Sequence, residues 1–328
     1  MGKVLTLTSA VSADTTDMIE MIHAAGHEVT IGPDFVGVSW SDEVGEEIRR
    51  LLAGHDALIV GGVEVGRDTI EASPDLRVIS RTGVGYDAVD AVAAAENGIP
   101  VVIAVGSNHI TVAEYAFGLM LALGRQMLPH HQIVIGGEWR RVPNIDLAGK
   151  TLGIAGLGRI GRALADRALA FEMEVIGYEI YPDLEFVESR GIELVEIAEL
   201  CRRSDFVSLH LPGTDETTKI VNAERLSLMK PSAYIVNTAR GGLIDENALY
   251  AALKDGQIAG AGLDVFEPEP PVGSPLLDLP NVITSPHAAG ISRESVHRMG
   301  YQAVENALAV LSGSWPREIV VNGVYSDA

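Results

Sequence analysis

The sequence predicts an α/β protein built from two doubly wound parallel sheets. Runs that are apolar throughout alternate with amphipathic stretches, a pattern typical of strands that helices cover on both faces. The alternation occurs in two series, separated by an irregular segment at 130–150. The chain has 328 residues, of which 47% are hydrophobic, and this length favours two domain cores over one.

In the first series, the amphipathic stretches at 15–26 and 41–54 end in glycine, a usual helix stop, and Ser41 is a suitable N-cap. The runs interpreted as buried strands are 4–8, 27–31, 57–61, 77–80 and 101–105. A long helix at 111–128 is expected next, followed by the irregular arm. In the second series the expected strands are 151–155, 174–178, 206–210, 233–238, 259–266 and 282–287, before a final helix at 294–311.

Composition disfavours several classes of function. The formal net charge of −21 would repel nucleic acid and anionic membranes. Cys201 is the only cysteine, so no intrachain disulfide can form, and a reducing cytoplasm is expected. We interpret Cys201 as a packing residue because no activating partner stands beside it. The longest apolar stretch, 112–123, is too short to span a bilayer, so no membrane association is expected.

The clearest motif is a glycine-rich turn with the sequence Gly156, Leu157, Gly158, Arg159, Ile160 and Gly161. It follows an apolar run and opens an amphipathic stretch, the context in which G-x-G-x-x-G binds a dinucleotide. Gly156 permits the tight turn, Gly158 lets the backbone approach a pyrophosphate, and Gly161 allows close packing of helix on strand. The helix N-terminus offers unpaired N–H groups to the phosphates, and Arg159 is a further candidate ligand.

An acid follows the next expected strand. Glu179 can accept hydrogen bonds from the adenosine ribose hydroxyls and would repel a 2′-phosphate, which predicts NAD rather than NADP. The glycine motif begins in mid-chain, after a complete α/β series. This position suggests that the nucleotide domain is inserted into the other domain.

Later segments carry candidate catalytic residues: Arg240 lies in 236–249, Glu269 in 259–271 and His287 in 281–290. In order and spacing they resemble the D-isomer-specific 2-hydroxyacid dehydrogenases, a family that includes phosphoglycerate dehydrogenases and glyoxylate/hydroxypyruvate reductases. The resemblance covers essentially the whole chain and includes 81–90, 111–123 and 204–218.

The resemblance implies NAD-dependent hydride transfer to or from C2 of a small D-2-hydroxy acid or 2-oxo acid. It makes His287 the general acid/base, Glu269 its carboxylate partner and Arg240 the cation that binds the substrate. Glu269, not Glu267, matches the family's acid, which stands immediately before proline and five residues after the aspartate of the strand, here Asp264. Arg240 and His287 also follow expected strands, at the edge where open α/β sheets bind ligands.

The resemblance further implies contacts with cofactor and substrate. Asp264 would hold the nicotinamide carboxamide, and the backbone N–H groups of Val84 and Gly85 would bind the substrate carboxylate. His210, Leu211 and Pro212 would line the adenine side, and Thr217 would also contact the cofactor. The nicotinamide end would be lined by Thr238, Ala239, Ala289 and Gly290. No metal is expected, because Arg240 supplies the positive charge.

The expected architecture is a flavodoxin-like substrate domain at 1–106 plus 291–328 and an inserted Rossmann NAD-binding domain at 107–290. A homodimer is expected from the resemblance and from the long arm.

The substrate stays open. Arg81 and Arg141 are placed to bind a substrate phosphate, yet 58–62 has glycines where phosphoglycerate dehydrogenases usually supply an arginine. Glyoxylate, hydroxypyruvate and other short 2-oxo acids are equally compatible. Formate dehydrogenase is disfavoured because that relative has glutamine in place of Glu269. Two other functions on this scaffold are an NAD(H)-sensing protein of the corepressor type and a phosphite-type oxidoreductase.

Overall fold

The computed structural model describes residues 1–12, 14–35, 38 and 41–325. The chain forms two compact units, one made of Met1–Asn108 with Ser292–Ala328 and the other of His109–Ile291. Each unit contains one parallel sheet with helices, which confirms the predicted α/β class with two parallel sheets.

The first unit is built around a five-stranded sheet. Its strands are β1 (Lys3–Leu7), β2 (Glu28–Ile31), β3 (Ala57–Val60), β4 (Val78–Arg81) and β5 (Val101–Ile103). Its helices are α1 (Thr16–Ala24), α2 (Asp42–Leu52), α3 (Arg67–Glu71), α4 (Ala91–Glu96) and α12 (Arg293–Ser312). The strand order is β2-β1-β3-β4-β5, all parallel, which is the order of a flavodoxin-like sheet.

The second unit is built around a seven-stranded sheet. Its strands are β6 (Thr151–Ala155), β7 (Glu174–Tyr178), β8 (Glu193–Leu194), β9 (Phe206–Leu209), β10 (Tyr234–Asn237), β11 (Gly260–Leu263) and β12 (Val282–Thr284). Its helices are α5 (His109–Gly124), α6 (Met127–Ile135), α7 (Arg159–Ala170), α8 (Leu184–Arg190), α9 (Ile197–Arg203), α10 (Ala223–Leu228) and α11 (Glu246–Lys254). The strand order is β12-β11-β10-β9-β6-β7-β8. From β6 the chain adds β7 and β8 on one side, and β9 then lies on the other side of β6, so the strand order changes direction between β6 and β9. Open α/β sheets bind ligands at such a switch point.

Each sheet carries an apolar layer on both faces, as a parallel sheet requires. In the first unit, Leu5 and Leu7 pack with Ile48 of α2, whereas Val4 packs with Met18 of α1 on the opposite face. All five side chains are at most 1% exposed. Burial of each such side chain stabilises the fold by about 1.5–3 kcal/mol before entropy is counted.

Strand β2 differs from the prediction that every apolar run of the first series is buried. Glu28, Thr30 and Ile31 are exposed, and Ile31 is 43% exposed. The reason is position, because among the described residues β2 forms the edge of the sheet, next to β1.

The predicted long helix and irregular arm at 111–150 also need correction. Helix α5 ends at Gly124, Gln126 takes a left-handed backbone with φ of 51°, and α6 then runs to Ile135. The arm therefore begins as a helix, and it becomes irregular only after Gly137, whose φ is 80°. Within the described ranges, the helices all fall short of the length and apolarity needed to cross a membrane.

Candidate active site

The glycine-rich turn connects β6 to α7, and two of its three glycines have no room for a side chain. A Cβ on Gly156, whose φ is 100°, would lie 2.6 Å from the carbonyl oxygen of His210. A Cβ on Gly161 would lie 2.0 Å from the carbonyl oxygen of Gly156. At Gly158, by contrast, none of the described residues comes within 4 Å of an added Cβ. The turn is thus closely packed on the sheet side and open at Gly158.

The open side of the turn coincides with a helix N-terminus that no described side chain caps. Gly158 is the N-cap of α7, and among the described residues this helix begins without a side-chain cap, as do α1, α3, α6 and α9. The first N–H groups of a helix lack intrahelical partners, so this end can bind an anion. Arg159 is exposed at the first position of α7, and Ile160 is half-buried beside it.

Glu179 lies directly beside the turn, at the carboxyl end of β7. Its Oε2 accepts a hydrogen bond from the Leu157 N–H at 2.8 Å, and its Oε1 accepts one from the Tyr181 N–H at 3.1 Å. The Leu157 carbonyl in turn accepts from Arg162 Nε at 2.8 Å, and Arg162 pairs with Asp183 at 2.5 Å. Arg162 and Asp183 were not predicted from the sequence, although Arg162 directly follows the glycine motif.

The segment after β9 packs against the other side of the glycine turn. His210 Nε2 lies 2.8 Å from Ser208 Oγ, and burial lowers the pKa of His210 to about 3, so its ring is neutral. Leu211 is buried, and the Pro212 carbonyl accepts a hydrogen bond from the Thr217 hydroxyl at 2.6 Å. Thr217 therefore stabilises this loop. A contact between Thr217 and a cofactor stays a prediction.

A histidine–carboxylate pair lies near the carboxyl ends of β11 and β12. His287 Nδ1 is 2.8 Å from Glu269 Oε2, and Glu269 Oε1 accepts from the Phe266 N–H at 3.0 Å. The His287 backbone has a φ of 54°, a costly conformation outside glycine, and its N–H donates to the Asp264 carbonyl at 2.8 Å. The pair is therefore oriented from both sides, with His287 Nε2 left for other contacts.

The buried carboxylate of Asp264 shapes the turn that carries His287. Its Oδ1 accepts from Ser285 Oγ at 2.6 Å and from the Ala288 N–H at 2.8 Å, and its Oδ2 accepts from the Ala289 N–H at 2.8 Å. Asp264 is 1% exposed, and Ala289 is also buried beside the half-buried Gly290. Contact of Asp264 with a carboxamide remains a prediction.

Arg240 leaves the carboxyl end of the neighbouring strand β10. The Asn237 side chain fixes this loop, because it donates to the Arg240 carbonyl at 2.8 Å and accepts from the Ala239 N–H at 3.0 Å. The Arg240 guanidinium also donates to the Ala239 carbonyl at 2.7 Å. Thr238 is 8% exposed, and its hydroxyl has no partner among the described residues. An orphaned buried hydroxyl at a strand end is a suitable contact for a ligand.

The charges of these groups favour the ionised pair. The hydrogen bond that His287 donates to Glu269 raises the pKa of His287, while burial and the Arg240 charge oppose that rise. Burial would raise the pKa of Glu269, but the hydrogen bond and charge of His287, the Phe266 N–H and Arg240 together lower it. His287 is therefore held as a protonated acid to higher pH than an ordinary histidine.

In the first unit, Arg81 ends β4 and is buried. Its Nε donates to the Gly85 carbonyl at 3.0 Å, so it supports the loop that contains Val84 and Gly85. Arg141 is exposed in the second unit. Contacts of Arg81 or Arg141 with a phosphate, and of Val84 and Gly85 with a carboxylate, stay predictions.

The residues present fit a dinucleotide. The turn is open at Gly158, the α7 N-terminus is uncapped among the described residues, and Glu179 lies at the adjacent strand end. A metal ion is a different case, because the described ranges contain no group of three or more His, Cys, Asp or Glu side chains that could hold one.

Comparison with known proteins defines the class. The model of the D-isomer specific 2-hydroxyacid dehydrogenase NAD binding domain matches residues 117–289. The chain belongs to the D-isomer specific 2-hydroxyacid dehydrogenase family, which confirms the resemblance seen in the sequence.

Three individual proteins show what the chain is similar to within this comparison. The chain is 48% identical to a D-3-phosphoglycerate dehydrogenase from Methanocaldococcus jannaschii over 84% of this chain and 53% of that protein, so it spans about half that relative's length. It is 42% identical to a glyoxylate reductase from Korarchaeum cryptofilum over 78% and 79% of the two chains. A crystal structure of a protein from Thermus thermophilus superposes with a TM-score of 0.86 at 35% identity, covering 97% of this chain and 99% of that one.

Proposed function

We propose that the chain is an NAD-dependent dehydrogenase that transfers a hydride between nicotinamide and C2 of a small D-2-hydroxy acid or 2-oxo acid. The observation that carries this proposal is the hydrogen bond of 2.8 Å between His287 Nδ1 and Glu269 Oε2, beside the loop that bears Arg240. Family membership, with relatives named as dehydrogenases and reductases, supports the same reaction class.

Each of the three side chains has a distinct role in this proposal. Bound NAD(H) supplies or accepts the hydride. In the reducing direction, His287 donates a proton from Nε2 to the oxygen that becomes the hydroxyl, and in the oxidising direction it takes that proton back. Glu269 fixes the ring and stabilises its charged form, which matches the raised pKa of His287. Arg240 binds the substrate carboxylate through its planar guanidinium.

We propose NAD rather than NADP as the cofactor. The Glu179 carboxylate lies at the end of β7, where it can accept hydrogen bonds from ribose hydroxyls and would repel a 2′-phosphate. We propose that the domain at 107–290 binds the nucleotide and that the substrate domain consists of 1–106 plus 291–328.

Two groups of substrate follow from the relatives, phosphorylated acids and short unphosphorylated ones. A basic contact for phosphate would support the first group, but Arg81 is buried and bound to the Gly85 carbonyl. Glyoxylate and hydroxypyruvate therefore belong in any substrate panel beside 3-phosphohydroxypyruvate.

We also propose a cytoplasmic homodimer. Cys201 is buried and burial raises the pKa of its thiol to about 11, so it suits a reducing compartment as a packing residue. Large apolar side chains are exposed on α6 and the following arm, as is usual for an interface, and they are Met127, Leu128, Val134, Ile135 and Trp139. The molar mass from light scattering should be about twice that of the chain.

The decisive experiment follows NADH oxidation by absorbance across a panel of 2-oxo acids, repeated with NADPH. The panel contains glyoxylate, hydroxypyruvate, pyruvate, longer 2-oxo acids and 3-phosphohydroxypyruvate. Turnover of one member identifies the substrate, and preference for NADH supports the role of Glu179. If NADH binds and every member stays unreacted, the proposed reaction is wrong for this panel and a sensing role becomes the better account.

A further inference from the structure

Two loops of the second unit meet with no room for a side chain between them. We call residues 238–245 the arginine loop and residues 264–271 the acid loop. A Cβ on Gly241 of the arginine loop would lie 2.1 Å from the Phe266 carbonyl carbon of the acid loop. A Cβ on Gly242 would lie 2.9 Å from Glu267 Oε2. The loop that bears Arg240 therefore packs directly on the backbone of the loop that bears Glu269.

Glu246, which directly follows the arginine loop, is hydrogen-bonded to the acid loop. Its Oε1 accepts from the Glu267 N–H at 2.8 Å. Glu246 is the first residue of α11, and the N-cap Asp245 fixes this helix end by accepting from the Ala248 N–H at 3.2 Å and by pairing with Lys219 at 3.2 Å. The side chain that reaches the acid loop thus starts from a well-anchored position.

The acid loop presents two consecutive N–H groups to two different carboxylates. The Phe266 N–H binds Glu269 Oε1, and the Glu267 N–H binds Glu246 Oε1. Glu269 reaches His287 with its other oxygen. If the Glu267 peptide moves, the adjacent Phe266 N–H that orients Glu269 moves with it.

We propose that Glu246 is a positioning residue that holds the acid loop on the arginine loop and so keeps the Glu269 carboxylate aligned with His287. The proposal rests on the acid/base role proposed above for His287. Glu246 touches neither reacting atoms nor cofactor in this proposal. It acts through one backbone hydrogen bond, so an amide that accepts the same bond can replace it.

The test is an NMR titration of the histidine side chains in the intact 328-residue chain, with the His287 signal assigned by its loss in His287→Ala. In Glu246→Ala the pKa of His287 should fall toward its ordinary value, as it should in the reference variant Glu269→Gln. Glu246→Gln keeps a carbonyl acceptor for the Glu267 N–H and should retain the wild-type titration. The matched control is Glu224→Ala, which removes an exposed first-turn glutamate from the neighbouring helix α10.

Kinetics give a second reading on the substrate that the panel identifies. Glu246→Ala should lower kcat about tenfold, the worth of one well-placed hydrogen bond, with the KM for NADH unchanged. Glu246→Gln should restore most of that kcat.

The titration needs no turnover, so it separates this proposal from the proposed function. An unchanged His287 titration in Glu246→Ala, together with a shifted one in Glu269→Gln, overturns the positioning role. Glu246→Gln behaving like Glu246→Ala also overturns it, because the effect would then follow the charge and not the hydrogen bond. A silent substrate panel with the expected titrations would leave the positioning intact and reject the reaction.

Discussion

At its carboxyl edge, the seven-stranded sheet presents different chemical groups at its two ends. Beside β6 and β7, the chain presents backbone N–H groups on a turn in which Gly156 and Gly161 have no room for side chains, with Glu179 alongside. Beside β10, β11 and β12, it presents the charged side chains of Arg240, Glu269 and His287. The first end suits an extended anion, and the second suits proton transfer and a carboxylate.

This comparison indicates that a single substitution should have different effects at the proposed nucleotide-binding end and at the proposed catalytic end of the sheet. A site made of several N–H groups spreads its free energy over many weak contacts, so loss of one side chain has a modest effect. In a site made of a few charged side chains, each substitution has a large effect, because each side chain acts on the reacting atoms directly or through one neighbour. Substitutions at the two ends should therefore differ in size and in the kinetic constant they change.

The largest effect is expected for His287→Ala, which removes the acid/base. We expect kcat to fall about 100-fold or more while NADH binding is retained. The matched control is His297→Ala, since both histidines pair with a carboxylate and both side chains are 55% exposed. Steady-state turnover and NADH fluorescence titration measure the two quantities. Equal activity of His287→Ala and wild type would remove His287 from the reaction.

Next in size is Arg240→Gln, which removes the proposed carboxylate contact. We expect kcat/KM for the 2-oxo acid to fall about 100-fold, because a bidentate charged contact is lost. Arg240→Lys keeps the charge without the planar fork and should recover only part of this loss. Arg202→Gln on the surface helix α9 is the control for loss of an arginine. If only the KM for NADH changes, Arg240 contributes to cofactor binding and the proposed contact with the substrate carboxylate is wrong.

Glu269→Gln should have an intermediate effect of about tenfold on kcat, the worth of one charged hydrogen bond, and it should change the pH dependence. Reduction needs protonated His287, so its rate is full below the raised pKa and falls as pH rises through it. Without the carboxylate the pKa of His287 drops, and this fall should begin at lower pH. In the oxidising direction the rate should rise with pH over the same range, and the rise should also move to lower pH. Glu267→Gln is the control, and an identical shift there would mean that Glu269 is not the specific partner.

The two ends also differ in how far the sequence predicted them. The glycine turn is contiguous, and its spacing after an apolar run follows from local sterics, so Gly156 and Gly161 were predicted with their reasons. Arg240, Glu269 and His287 come from separate strands, and only the family resemblance grouped them before the structure. Their roles still rest on the experiments proposed above.

Contacts between distant segments account for what the sequence did not reveal. Arg162 contacts the glycine turn and Asp183, and Glu246 contacts Glu267, through side chains whose partners no local pattern specifies. The exposure of β2 depends on its place at the sheet edge, and the break before α6 depends on a left-handed Gln126. Periodicity reports how polar a segment is and not which neighbours it meets.

The smallest effect is expected for Glu179→Ala, at the binding end. It removes the carboxylate proposed to accept from the ribose and to repel a 2′-phosphate, so the ratio of kcat/KM for NADH over NADPH should fall about tenfold. The change should appear in the KM values with kcat nearly constant, which is the opposite kinetic pattern to His287→Ala. Glu185→Ala, at an exposed position of α8, removes the same charge nearby and should leave the ratio unchanged. If Glu185→Ala shifts the ratio as much, discrimination comes from the general negative charge of the surface, and Glu179 has no specific role. If Glu179→Ala lowers kcat instead, the two ends of the sheet are not separable in the way their contacts indicate.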